Sequence, residues 1–207
     1  LIWVIFSTIQ QGGNAAMAFF NILLILVLFL CVVLHELGHA RMARRFGIPT
    51  RSITLLPIGG VASLEKMPEK PREELAVALA GPAVNVIIAL LLLLVVPLAR
   101  YGDYTQEQWE QFFASPTLDT FLVYLLMANI LLVVFNLIPA FPMDGGRVLR
   151  ALLGFSYNRA KATEIAARLG QAVSLIFLML GLLFNPFLVI IAVFVFFGAY
   201  AENKMVQ

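Results

Sequence analysis

An apolar run, interrupted only by Asn21, extends from residue 15 to residue 34, a length that matches the thickness of a bilayer's hydrocarbon layer. The span assigned within it is 17–34, three comparable spans lie at 75–98, 118–137 and 165–184, and a shorter one follows at 187–200. The chain is 61% hydrophobic and 13% charged, whereas a soluble domain is about 45–50% apolar and about 25% charged. The sequence therefore predicts an all-α polytopic membrane protein.

The first fourteen residues are apolar but too short to cross a membrane. They lack the basic start and the small-residue cleavage site of a signal peptide. We interpret them as the tail of a truncated first span, which gives about six transmembrane helices. The sequence predicts one membrane-embedded domain over 1–207, with no soluble domain in this chain.

Basic residues predict which loops face the cytoplasm, because cytoplasmic loops are enriched in Lys and Arg. Of the 14 basic residues, seven lie between the second and third spans, and five lie between the fourth span and the end of the first turn of the fifth. These two connections are predicted to be cytoplasmic, and the connection over 100–117, with one basic residue, to face outward. The net charge of +2 then reflects topology, and nothing in it favours nucleic-acid binding.

The second span ends in the sequence HELGH, at residues 35–39. Residues i and i+4 share one face of a helix, so His35 and His39 can bind one metal ion. Glu36 is turned about 100° away and can take a proton from a metal-activated water, as in HExxH zinc peptidases. A chance match is disfavoured, because ionisable residues inside a span are costly and usually functional. The site is predicted near the cytoplasmic membrane face.

A catalytic zinc site needs a third protein ligand and an open position. The chain holds two histidines and one cysteine, Cys31, which is predicted to be a small packing residue. The third ligand should therefore be a carboxylate, and Asp144 is the best placed. The acidic residues of the loop over 65–74 are predicted to be solvated, and Glu202 to have an ordinary role at a helix end.

Asp144 lies in a stretch where the fourth span must break. Pro139 and Pro142 each lack a backbone donor, and Gly145 and Gly146 loosen the chain. Broken backbone at membrane depth must be buried in protein or line a wet cavity, and a hydrolase inside lipid needs such a cavity. A simple Asp-Gly turn leaving the membrane remains the alternative.

Three stretches together resemble the signature motifs of the site-2 protease family of intramembrane zinc metalloproteases. They are HELGH at 35–39, AGPAVN at 80–85 and NLIPAFPMDGG at 136–146. The segment LLPIGGVA at 55–62 also resembles the corresponding family segment. The resemblance is closest to the compact archaeal and bacterial branch, which implies a prokaryotic cell membrane. Some relatives continue into CBS domains, and this chain is predicted to contain none.

The resemblance implies one catalytic Zn²⁺ bound by His35, His39 and Asp144, with Glu36 as general base. It implies a membrane-protein substrate cut within or near a transmembrane segment. Asn136 and Pro142 match positions linked to holding substrate. Asn85 matches the asparagine of the middle motif, where a helix-packing hydrogen bond is as good an interpretation as direct support of the site.

The segment over 51–64 is rich in β-formers around Gly59 and Gly60 and predicts a membrane-dipping hairpin. One of its edges could capture unwound substrate as an added strand, with Gly59 and Gly60 at the substrate. A plain loop that shields the site is an equally good interpretation. The small residues Ala166, Gly170 and Ser174, four apart, predict close helix packing.

Two functions of other classes remain open at this point. A zinc transporter would usually show internal repeats or several ionisable groups at the midplane, and here these groups gather at one cytoplasmic mouth. An inactive scaffold would be expected to lack Glu36 or a ligand, and all four residues are present.

Overall fold

The computed structural model describes residues 8, 10, 12, 14–48, 50–56, 59–64, 68 and 70–206. Within them, seven α-helices have described bounds. In chain order these are α1 (Ala15–Arg45), α2 (Pro71–Val95), α3 (Gln106–Ala114), α4 (Leu118–Asn136), α5 (Asp144–Leu153), α6 (Arg159–Leu183) and α7 (Pro186–Val206). A short 3-10 helix, Leu98–Tyr101, follows α2, and two strands, β1 (Thr50–Leu56) and β2 (Gly59–Leu64), lie between α1 and α2.

Five of the described helices, α1, α2, α4, α6 and α7, are long and apolar enough to cross a bilayer. Their outer faces are strongly apolar: Leu94, Leu182 and Phe184 are 83%, 73% and 79% exposed. Such faces are stable in lipid and unfavourable in water. The chain is therefore an integral membrane protein with a mainly helical fold, as predicted. The predicted remnant of a first span falls on residues that lie mostly outside the described part.

Helix α2 occupies the centre of the bundle and packs against α1, α4 and α5. It approaches α1 closely at Gly38, where an added Cβ atom would lie 2.7 Å from the carbonyl oxygen of Ala80. The glycine of HELGH thus lets the two helix backbones touch, as small residues do in membrane bundles. This contact brings the face of α1 that carries both histidines against the start of AGPAVN.

Strands β1 and β2 pair antiparallel, with Leu55 opposite Gly60 and Leu56 opposite Gly59. The hairpin follows directly after α1 and lies alongside that helix. It therefore sits next to the element that carries His35 and His39.

The helical conformation is interrupted between α4 and α5. Helix α4 ends at Asn136, residues 137–143 form irregular turns, and the helix of α5 begins with Asp144 itself. The two glycines after Asp144 do not act as the flexible points that we predicted. A Cβ atom on Gly146 would lie 2.6 Å from the Phe141 nitrogen, and one on Gly145 would collide with the carbonyl oxygen of Ile138. They let the first turn of α5 pack against the irregular segment that precedes it.

Helices α6 and α7 form a closely packed pair, and α6 also packs against α5. The stripe of Ala166, Gly170 and Ser174 is used for packing, as predicted. An added Cβ atom on Gly170 would lie 3.3 Å from both Ala140 and Ala199. The pair thereby encloses the irregular segment that leads to Asp144.

Candidate active site

Three polar side chains converge where α1, α2 and α5 meet. The Nε2 atoms of His35 and His39 lie 3.1 Å apart, and Oδ2 of Asp144 lies 3.1 Å from the first and 3.0 Å from the second. All three residues are buried. The turn spacing on α1 brings the two histidines to one face, and the break before α5 allows Asp144 to reach them from more than a hundred residues away.

The outer nitrogens of both imidazoles are bound to acceptors. Nδ1 of His39 donates to the carbonyl oxygen of Val77 at 2.7 Å, and Nδ1 of His35 donates to Oδ1 of Asn85 at 2.6 Å. Because these partners accept, each Nδ1 carries the proton, and each neutral ring directs the lone pair of Nε2 inward. Two lone pairs and a carboxylate oxygen therefore face one point.

The arrangement of these atoms fits a metal ion. Three electron-rich atoms at close range repel one another unless a cation lies between them. Ligands about 2.0–2.1 Å from a tetrahedral zinc ion stand about 3.3–3.4 Å apart, within a few tenths of an ångström of the separations here. Within the described residues, this is the one group of three such side chains whose ligand atoms lie within 4.8 Å of one another. Two imidazoles with one carboxylate are also a ligand set of catalytic zinc sites.

Gly81 forms the floor beneath the two imidazoles. A Cβ atom at this position would lie 2.7 Å from Nε2 of His35 and 2.6 Å from Cε1 of His39, and closer still to Nε2 of His39. Ordinary contacts between such atoms are about 3.5–4.0 Å. Only a residue without a side chain leaves room for both rings, so the glycine of AGPAVN belongs to the site.

A buried arginine ties the helix of Asp144 to its neighbours. Nε of Arg150, on α5, donates to Oε1 of Glu74 on α2 at 2.7 Å, and Nη1 lies 2.5 Å from Oε1 of Glu202 on α7. Nη2 also lies 2.6 Å from Oε1 of Glu74, as an ionic contact without hydrogen-bond alignment. The predictions for both acids were wrong: Glu74 is buried rather than solvated, and Glu202 partners a buried charge.

Other candidate residues lie at different distances from this cluster. Glu36 follows His35 on α1 and is half-buried. Asn136 donates to the carbonyl oxygen of Leu132 within α4, and Pro142 packs beside Gly198 of α7. Neither of these two contacts reaches the ligand atoms.

Gly59 and Gly60 begin β2, opposite the end of β1. Asn85 is fully buried, and its side chain makes both kinds of contact that were predicted as alternatives. It forms a helix-packing hydrogen bond with Asn129 of α4, and it contacts His35.

The sequence pattern of peptidase family M50 matches residues 23–181. This range contains both histidines, Gly81, Asn85 and Asp144. The chain belongs to peptidase family M50.

Individual proteins agree with this family membership. A zinc metalloprotease of Methanocaldococcus jannaschii is 44% identical over 89% of this chain and 50% of its own length. Stage IV sporulation protein FB of Bacillus subtilis is 31% identical over 75% of this chain and 48% of its own length. The chain thus spans about half the length of these curated relatives.

A solved structure, the site-2 protease from Methanocaldococcus jannaschii, shares the fold at a TM-score of 0.63 and 40% identity. The match covers 98% of this chain and 85% of that one. The resemblance of the three motifs to the site-2 protease family is thereby confirmed. Zinc is the metal that the names of the family M50 relatives imply, and the His-His-Asp cluster is chemically suited to it.

Several residues of this family M50 site escaped the sequence analysis. Gly81 lies within the AGPAVN motif, but its role depends on which helix lies over it, which the sequence does not show. Asn129 does carry a sequence signal, because it is an amide in the middle of a span, where polar groups usually have a function. The carbonyl oxygen of Val77 carries no sequence signal at all.

Proposed function

We propose that this chain is a zinc metalloendopeptidase that hydrolyses a peptide bond within or near a transmembrane segment of a membrane-protein substrate. The observation that carries the proposal is the convergence of two Nε2 lone pairs and the Asp144 carboxylate beside Glu36. Membership of family M50 and the names of the matched relatives support it. The five helices that are long and apolar enough to cross a bilayer support a substrate that itself lies in the membrane.

Each residue of the cluster has a defined role in this proposal. His35, His39 and Asp144 hold the ion, and Asn85 supports His35. When bound, zinc supplies Lewis-acid activation of water and of the scissile carbonyl group. Glu36 accepts the proton of the attacking water and passes it to the leaving amine. Burial of the cluster excludes bulk water and strengthens these electrostatic effects.

The orientation in the membrane follows from the charges at the helix ends. Helix α1 closes with Arg44 and Arg45, about one and a half turns beyond His39, and the positive-inside rule favours a cytoplasmic location for that end. The active site then lies near the cytoplasmic face of a prokaryotic cell membrane. We further propose that a sixth span precedes α1, and that 1–207 forms one protease domain.

The assignment is tested by mixing the purified protein with a panel of single-span membrane proteins, with and without a zinc chelator. We expect a cleavage product that disappears with chelator and returns when zinc is added. Asp144→Ala should bind no more than about a tenth of the zinc of the wild type, since one of three protein ligands is lost.

Asp119→Ala is the matched control. This carboxylate, on α4, accepts a hydrogen bond from the Tyr101 hydroxyl at 3.1 Å, outside the cluster. The control should retain full zinc occupancy and activity. Cleavage that resists chelation would contradict the protease assignment, and unchanged zinc in Asp144→Ala would contradict the ligand set.

We also propose that substrate enters the site as an extended strand added to the hairpin of β1 and β2. A helical substrate hides its carbonyl groups in internal hydrogen bonds, so it must unwind before attack. The hairpin lies alongside α1, and we propose that it dips into the membrane there. Gly59 and Gly60 would then allow close approach of the substrate backbone, and Asn136 and Pro142 would contact it at the broken end of α4.

Proline substitutions along the hairpin test strand addition, because proline removes a backbone donor. Proline at edge positions of the hairpin should reduce cleavage by about tenfold or more, while alanine at the same positions should not. Zinc occupancy, measured in each variant, separates loss of capture from loss of the site. If cleavage survives proline at every edge position of both strands, the added-strand proposal is wrong.

A further inference from the structure

A chain of side-chain hydrogen bonds links α4 to the metal site. Nδ2 of Asn129 donates to the carbonyl oxygen of Leu125 at 2.8 Å, and Oδ1 of Asn129 accepts from Nδ2 of Asn85 at 2.8 Å. Oδ1 of Asn85 in turn accepts from Nδ1 of His35 at 2.6 Å. Both asparagines are fully buried, so water cannot replace any member of the chain.

The carbonyl oxygen of Leu125, at the far end of this series of hydrogen bonds, determines which group donates and which accepts in each of them. The carbonyl oxygen of Leu125 can only accept, so Asn129 must turn its NH₂ group toward it. The Oδ1 atom of Asn129 then faces Asn85, which must present its own NH₂ group. That leaves the oxygen of Asn85 for His35, and Nδ1 of His35 must carry the proton.

We propose that Asn129 is a positioning residue that keeps His35 in the tautomer able to bind metal. It acts through Asn85 and touches neither ligand nor substrate. This inference rests on the metal site of the proposed function. The role of Asn129 is to prevent a competing state in which the side-chain amide of Asn85 is flipped, so that its oxygen and its NH₂ group exchange places.

In that competing state the NH₂ group of Asn85 would donate to Nδ1 of His35. The imidazole proton would then sit on Nε2, where Oδ2 of Asp144, 3.1 Å away, can accept it. All three groups would be satisfied, but His35 would have no lone pair for a metal. Asn129 opposes this state because a turned Asn85 would place two carbonyl oxygens against each other.

His39 provides an internal reference for this effect. Its Nδ1 proton goes to the backbone carbonyl oxygen of Val77, which cannot turn over. A change at Asn129 should therefore alter His35 and leave His39 as it is. Because the chain contains two histidines, the imidazole nitrogens of both can be followed by NMR after selective ¹⁵N-histidine labelling.

The experiment compares Asn129→Leu, which removes hydrogen bonding at similar volume, with Asn129→Asp, which keeps an acceptor for Asn85. Zinc affinity is measured by chelator competition, and the tautomers by ¹⁵N shifts of the metal-free proteins. Asn129→Leu should bind zinc about 10- to 100-fold more weakly, as expected when a partner behind a ligand is lost, and His35 should move its proton to Nε2. Asn129→Asp should stay within about threefold of the wild-type affinity, because the polarity of the chain is kept.

Thr120→Val is the matched control for general damage to α4. Thr120 is also fully buried, and its hydroxyl donates to the carbonyl oxygen of Phe112, away from the site. It should change neither zinc affinity nor tautomer. A merely structural Asn129 would lower stability in both variants without moving the proton of His35.

Unchanged zinc affinity or an unchanged tautomer in folded Asn129→Leu would overturn the proposal. If that variant does not fold, the metal-free wild type decides: a proton on Nε2 of His35 overturns it, and protons on Nδ1 of both histidines support it. Neither readout depends on peptide hydrolysis. Failure of the protease assignment would therefore leave this test intact, and failure here would leave the assignment standing.

Discussion

Glu36→Gln should lower the rate of cleavage by about 10²- to 10⁴-fold, the range that a general base contributes, while leaving zinc binding unchanged. Glutamine has nearly the same shape and still forms hydrogen bonds, but it cannot accept the proton of the attacking water. The metal is retained because Glu36 is turned away from the ligand face of α1, on which His35 and His39 lie. Rates and bound zinc should be measured on the same preparations.

Glu73→Gln is the matched control for this substitution. Glu73 is a carboxylate at the start of α2 whose partner, Lys70, is largely exposed. The Glu73→Gln variant should cleave substrate at the wild-type rate. A cleavage product that persists in Glu36→Gln would rule out Glu36 as the base. Loss of zinc in that variant would instead show that Glu36 belongs to the ligand set.

Gly81→Ala should abolish tight zinc binding while leaving the helical bundle folded. The new methyl group would stand 2.7 Å from Nε2 of His35 and 2.6 Å from Cε1 of His39, so both rings must move away from the point where their lone pairs meet. We expect zinc affinity to fall by at least about 100-fold, beyond the usual effect of losing a residue behind a ligand. Cleavage should be lost with the metal.

Gly102→Ala is the corresponding control, because it adds the same methyl group where space is free. The nearest atom to a Cβ there is the carbonyl oxygen of Ala99 at 3.8 Å, an ordinary contact. This variant should keep zinc and activity. Wild-type zinc affinity in Gly81→Ala would contradict the packing of the imidazoles on the α2 backbone.

The sequence predicted best those parts of the site that depend on local spacing. HELGH places His35 and His39 one helical turn apart whatever surrounds them, and ionisable residues are so costly inside a span that few interpretations survive. Asp144 was predicted as the third ligand because the other carboxylates of the chain are less well placed. The main spans followed from their length and apolar character.

Features that depend on helix contacts could not be predicted in the same way. Gly81 matters because α1 happens to cross it, and the sequence does not state where that crossing falls. Glu74 looked solvated because its neighbours along the chain are charged, whereas its partner Arg150 is 76 residues away. Gly145 and Gly146 looked flexible because the sequence does not show that the turns over 137–141 fold back against the first turn of α5.

The ionic contacts of Arg150 have a consequence for how the site is completed during synthesis. The chain is made from its N-terminus, so His35 and His39 enter the membrane first, and Asp144 arrives with α5. Arg150 then finds Glu74 on a helix that is already in place, but Glu202 only after α6 and α7 have followed. The helix that starts at Asp144 therefore has its full set of ionic contacts only once α7 has been added, so the cluster of His35, His39 and Asp144 is fully supported only in the complete bundle.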